Sequence, residues 1–193
     1  MEKEQLTGIL RKHGQDMIAD ALDSLSGKSY EKLAAQIRDV DWDEIADLTK
    51  QYVFHKPQTL IPPDLSPAPY FPMKPKDAAQ AELYKKAQAE GEKLIGTGKV
   101  AALIVAGGQG TRLGFDGPKG TYPITPVLKK TLFQYFAESL ARASEKFGAK
   151  IHWFIMTSEL NDSQTKEFFK ANGYFGLGSE NITFFTQGVM PAI

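Results

Sequence analysis

Over residues 2 to 54 apolar side chains recur at helical spacing: Leu6, Ile9 and Leu10, then Ile18, Ala21, Leu22 and Leu25, then Leu33 and Ile37, then Trp42, Ile45 and Leu48. Breaks at Gly14, at Ser26-Gly27 and near Asp39 to Asp41 fall where glycine, serine and aspartate favour turns and caps. The pattern predicts a small all-helical region over 1–55. From Lys56 to Lys76 the chain holds seven prolines, Pro57, Pro62, Pro63, Pro67, Pro69, Pro72 and Pro75. No regular helix survives that density, so 56–76 reads as an extended linker or strap.

Beyond the linker the period changes. Asp77 to Gly96 is alanine-rich, with Leu83, Ala87, Leu94 and Ile95 on an apolar face and Asp77 placed to cap it. Val100 to Ala106 is a short apolar run that reads as a buried parallel strand. Thr131 starts a helix through Leu132, Phe133, Phe136, Leu140 and Phe147, which Gly148 ends. Ile151 to Met156 is the next strand, Asp162 to Ala171 the next helix, and Ile182 to Phe185 the third strand. Strand, helix, strand, helix, strand predicts an α/β fold with right-handed crossovers and a parallel sheet. Ligands in such sheets bind beyond the carboxyl ends of the strands. Gly107 and Gln187 both follow such ends.

The glycine-rich stretch after the first strand carries the chemistry. Ala106-Gly107-Gly108-Gln109-Gly110-Thr111-Arg112-Leu113-Gly114, followed by Pro118-Lys119-Gly120, joins a turn that a ligand can approach closely to one arginine and one lysine. The glycines are read as reaching backbone conformations barred to other residues. The spacing Gly108-x-Gly110-x-x-x-Gly114 is one residue too long for the dinucleotide fingerprint, and Asp116 to Gly120 does not complete a P-loop. An arginine and a lysine beside such a turn can hold a polyphosphate and neutralise it, so the chain reads as a nucleotide-handling enzyme.

Composition narrows the classes. The 193 residues hold 23 basic and 23 acidic side chains, so no net field draws the chain onto nucleic acid or membrane. There is no cysteine, hence no disulfide and no thiolate zinc site. No signal peptide or long apolar segment is seen, and the cytoplasm is the expected compartment. His13, His55 and His152 lack ligand spacing and are read as structural or exposed. Lys129-Lys130 is expected to face solvent.

The motif Leu103-x-x-x-Gly107-Gly108-x-Gly110-Thr111-Arg112-Leu113-Gly114-x-x-x-Pro118-Lys119-Gly120 resembles the signature of nucleotide-sugar pyrophosphorylases, in detail the UDP-N-acetylglucosamine pyrophosphorylases and related UDP-sugar pyrophosphorylases. The resemblance continues through Thr131 to Gln134, Trp153 to Ser158, Lys166 to Phe169 and Tyr174 to Leu177, and on to Gln187-Gly188-x-x-Pro191-Ala192. It implies a Rossmann-like, mostly parallel nucleotidyltransferase sheet after the helical region, with 77–193 the first part of a catalytic domain. It implies that UTP and a sugar 1-phosphate give a UDP-sugar and pyrophosphate. Leu103, Ala106, Gly107, Gly108, Gly110, Thr111 and Gln187 would bind the nucleotide, with Gln187 at the uracil edge. Arg112 would grip the β- and γ-phosphates, and Lys119 would sit near the α-phosphorus. Mg²⁺ is the implied cofactor, held by carboxylates outside this sequence as well as by the phosphates.

Relatives of this kind are longer. The chain is therefore expected to be an N-terminal fragment, inactive alone, with an unpaired sheet edge that favours association with another copy. Two further readings stay open at this stage. One is a UDP-glucose or broad UDP-sugar pyrophosphorylase; the other is a catalytically silent nucleotide-binding or interaction module.

Overall fold

The computed structural model describes residues 2–55 and 61–188. The expectations placed on Pro57 and on Pro191-Ala192 lie outside those residues. The chain divides into two units, one containing the first four helices and reaching Ala68, the other running Pro69–Gly188.

In the first unit α1 (Lys3–Lys12), α2 (Asp16–Ser24), α3 (Gly27–Asp39) and α4 (Trp42–Leu48) follow the breaks read in the sequence. A π-helical turn, Thr49–Phe54, extends α4. Leu6, Leu10, Ala19, Leu22, Ala34 and Ile37 form the core. Each fully buried leucine contributes on the order of 1.5–3 kcal/mol. Ala19 takes the inward position expected of Ala21, which is exposed, because 19 and 22 share the face that α2 turns to α1 and α3. Trp42 closes the end of the bundle by donating its indole N–H to Ile37 O at 3.0 Å.

In the second unit residues 69–76 carry no helix or strand and lead into α5 (Ala78–Gly96), which Asp77 caps by accepting from Gln80 N at 2.7 Å. The expected apolar face of α5 is not buried: Leu83 is 49% exposed and no residue of the helix is fully covered. The helix instead turns Tyr84 toward the proline strap, where its hydroxyl bonds Pro72 O and its ring meets Phe71 edge-on.

The sheet has three parallel strands in the order β1 (Ala101–Val105), β2 (His152–Thr157), β3 (Ile182–Thr186). Ile104 pairs with Ile155, and Ile155 with Phe184, so all three face one side. Helices α6 (Leu132–Phe147) and α7 (Asp162–Ala171) cover that side. Thr131 caps α6 through Gln134 N, and Gly148 ends it at φ 66, both as the sequence predicts. Phe133, Trp153, Phe169 and Phe184 interlock edge-to-face, with Phe133 and Phe169 centroids 4.9 Å apart.

The first strand is not the buried strand that its apolar run suggests. Leu103 and Val105 are 63% and 69% exposed, because both α6 and α7 pack on the opposite face and β1 lies at the sheet edge. Lys130 also departs from expectation. It pairs with Glu138 on α6, and that hydrogen bond holds the Glu138 carboxyl below its ordinary range.

Candidate functional site

The loop that follows β1 closes on itself. Gly108 O accepts from Lys119 N at 3.1 Å, and Gly110 N donates to Gly117 O at 2.8 Å, which zips the glycine stretch to the Pro-Lys segment. Between them lies one short helical turn, Thr111–Leu113, ended by Gly114 at φ 65. No long helix begins here, so any charge stabilisation at this loop comes from individual N–H groups and cations and not from a helix terminus.

Gly107, Gly108 and Gly110 are not in the left-handed region, contrary to the reason first suggested for them; Gly114 and Gly117 are. What requires glycine at 107 and 110 is space. A Cβ on Gly107 would stand 2.9 Å from Gln187 Oε1, and one on Gly110 would stand 2.7 Å from Phe115 Cδ1. At Gly108 the nearest atom to such a Cβ is Lys119 Nζ at 3.8 Å, so the lysine side chain lies over the loop.

Lys119 is aimed from below. The next residue, Gly120, is buried with its α-carbon against the Phe133 ring, where any side chain would overlap the ring. Phe133 is the aromatic core residue that α6 presents to the sheet. Core packing thus seats the 119–121 turn and brings the ammonium to the glycines.

The opposite wall comes from β3. Gln187 N donates to Thr157 O at 2.8 Å, and Ala106 N donates to Met156 O at 2.7 Å, so the end of β2 supports the loops on both sides of it. Thr157 Oγ1 donates to Asp162 Oδ1 at 2.6 Å. Asp162 lies partly out of water, which raises its pKa, but bonds from Lys166 and Thr157 outweigh this and hold the carboxyl below its ordinary range. Asn161 is fully buried beside it and donates its amide to Ala106 O at 2.9 Å and to Gly108 O at 3.4 Å.

Ile104, Val105, Ala106, Gly108, Lys119 and Gly120 border a cavity of about 80 Å³. Ligand pockets measure roughly 300–1,000 Å³. The described residues therefore form one wall of a candidate site and not an enclosure. Arg112 is exposed and has no ion-pair partner among the described residues.

A family model described as UTP–glucose-1-phosphate uridylyltransferase matches residues 29–193. The chain belongs to this uridylyltransferase family. It is 49% identical over 105 residues to the UDP-N-acetylglucosamine pyrophosphorylase of Saccharomyces cerevisiae, covering 53% of this chain and 22% of the yeast protein. It is 33% identical over 201 residues to UDP-N-acetylglucosamine diphosphorylase 2 of Arabidopsis thaliana, covering 98% of this chain and 40% of that protein. A crystal structure of the uridine diphosphate N-acetylglucosamine pyrophosphorylase from Trypanosoma brucei in complex with inhibitor superposes with TM-score 0.69 at 32% identity. That likeness covers 97% of this chain and 39% of the other. The chain thus spans less than half the length of these relatives.

In this member of the family the structure gathers Ala106, Gly107, Gly108, Lys119 and Gln187 into one place. Thr111 and Arg112 stand on the adjoining turn, exposed. Leu103 is not brought in: it lies in mid-strand opposite Phe154, about 13 Å from Gly107 at the usual rise per residue of an extended strand. Val105 adjoins the loop instead. Sequence reasoning missed Asn161 and Thr157. The only local signal for Asn161 was an asparagine one residue before a helix, which ordinarily marks a cap.

Proposed function

We propose that the chain is part of a uridylyltransferase that joins UTP to N-acetylglucosamine 1-phosphate, giving UDP-N-acetylglucosamine and pyrophosphate. The observation that carries this reading is the placement of Gln187 against Gly107 at the carboxyl end of the sheet, with Lys119 over Gly108. A carboxamide offers both a donor and an acceptor, which matches the N3–H and carbonyl edge of uracil. The bare α-carbon of Gly107 leaves that carboxamide its place and lets a flat base approach the backbone.

Lys119 supplies a positive charge beside the loop that would cradle the phosphates, where charge develops as the α-phosphorus is attacked. Arg112, unpaired with carboxylates among the described residues, can turn its fork to the departing pyrophosphate. The names of the curated relatives favour the N-acetylglucosamine substrate over glucose, although the family description names glucose 1-phosphate.

Among the described residues no group of three or more histidines and acids stands ready to hold a metal. Mg²⁺ is proposed as the cofactor, arriving with the triphosphate, and no step here is routed through it. No described helix is long and apolar enough to cross a membrane, and we place the reaction in the cytoplasm as part of the proposal.

The test is calorimetric titration of the chain with UTP and, separately, with CTP and ATP, in the presence of Mg²⁺. Saturable binding that prefers UTP supports the reading. Equal affinity for all three nucleotides in a folded sample rejects Gln187 as the base reader.

A further inference from the structure

We infer that Asn161 is a positioning residue of the nucleotide site, which turns the N–H groups of the glycine loop outward by holding the carbonyls that precede them. The ligand in this inference rests on the uridine reading above; the clamp itself does not.

A fully buried asparagine must have its donors and acceptor satisfied, and where it spends them shows what it is for. Asn161 directly precedes α7, the position from which an asparagine normally bonds the first free N–H groups of a helix. Its side chain makes no such bond. Oδ1 accepts instead from Ser158 N at 2.9 Å, which braces the β2–α7 turn. Nδ2 reaches across the sheet end to Ala106 O and Gly108 O, at 2.9 and 3.4 Å.

The consequence follows from peptide geometry. In a planar trans peptide the C=O and N–H of one unit point in opposite directions. Drawing Ala106 O and Gly108 O toward Asn161 therefore aims Gly107 N–H and Gln109 N–H the other way. Among the described residues no protein acceptor meets the N–H groups of Gly107, Gly108 or Gln109. Three successive donors are left for an acceptor that the protein does not itself supply, such as a phosphate oxygen or a base carbonyl. The same turn fixes the other wall, since Thr157 O takes Gln187 N. One short segment, 157–161, thereby sets the spacing between the glycine loop and the proposed base reader.

The experiment has two arms. In the wild-type chain, NMR hydrogen exchange reads the Asn161 carboxamide protons directly. Slow exchange is expected; exchange as fast as in exposed carboxamides overturns the clamp, whatever UTP does. In Asn161→Asp the acceptor for Ser158 N survives, while the donors to the two carbonyls are replaced by an oxygen that repels them.

That variant is expected to move the amide resonances of Gly107, Gly108 and Gln109 while leaving those of α1 to α3 in place. It is also expected to weaken UTP binding by about tenfold or more, since the bonds to both carbonyls are lost. Unmoved loop resonances with unchanged affinity overturn the inference. A slow-exchanging carboxamide in a wild-type chain that binds CTP and ATP as tightly as UTP leaves the clamp standing and refutes the uridine reading. Should Asn161→Asp fail to fold, the wild-type exchange measurement still decides the clamp.

Discussion

Gln187 occupies the space that a side chain on Gly107 would need: a Cβ there would lie 2.9 Å from Oε1 and 3.1 Å from the carboxamide carbon. Gly107 has no left-handed φ, so alanine is compatible with its backbone. Gly107→Ala is therefore expected to leave the melting temperature within a few degrees of wild type. It displaces the Gln187 carboxamide, the free end of a flexible side chain, and so should erase the preference for UTP over CTP. Paired thermal melts and titrations check this; retained preference would detach Gln187 from base recognition.

Gly120 is the opposite case. Its α-carbon rests on the buried Phe133 ring, so Gly120→Ala forces either the core or the 119–121 turn to move. Overpacking of this kind costs about 1–3 kcal/mol, occasionally more. A lowered urea midpoint at unchanged m-value is the expected result, and an unaltered midpoint would show that the turn is not seated on the aromatic core.

Arg112 and Lys119 are both exposed, and neither is paired with a carboxylate among the described residues. Arg112→Ala and Lys119→Ala should leave the melting curve unchanged. Each should weaken binding of Mg²⁺-UTP by roughly tenfold to a hundredfold, the range for a lost charge-assisted hydrogen bond, with a shallower salt dependence. Undiminished affinity in Arg112→Ala would remove that residue from the phosphate site.

Asp162 makes the stability of the chain depend on pH. Burial raises its pKa, while the bonds from Lys166 and Thr157 lower it by more, so the folded value lies below the ordinary 3.8. A depressed folded pKa means that the unfolded chain takes up the proton first. The stabilisation is therefore present above the ordinary value and is lost as pH falls through the folded one. Melting temperatures of wild type and Asp162→Asn, compared from pH 7 down to about 2.5, should converge at the acid end. A gap that stays constant with pH would mean that the carboxylate charge contributes nothing.

Much of the local architecture is legible in the sequence. Asp77, Thr131 and Gly148 announce helix ends because capping is satisfied within a few residues, and the period of Leu132, Phe133, Phe136 and Leu140 needs only the helix itself to be read. The three strands and their parallel order follow from short apolar runs alternating with helices. The motif from Gly107 to Gly120 likewise marks the candidate site by its residue types.

Only the tertiary structure decides what those residues meet. That β1 keeps one face open among the described residues depends on both α6 and α7 packing on the other side, which no local pattern encodes. Gly107 looks like a conformational glycine until Gln187 is seen beside it, and Asn161 looks like a helix cap until its amide is traced to Ala106 and Gly108. Helix caps and periodicities are short-range and written in consecutive residues. The contacts that assemble this site are between loops at the ends of three strands, and they exist only once sheet register has brought those ends together.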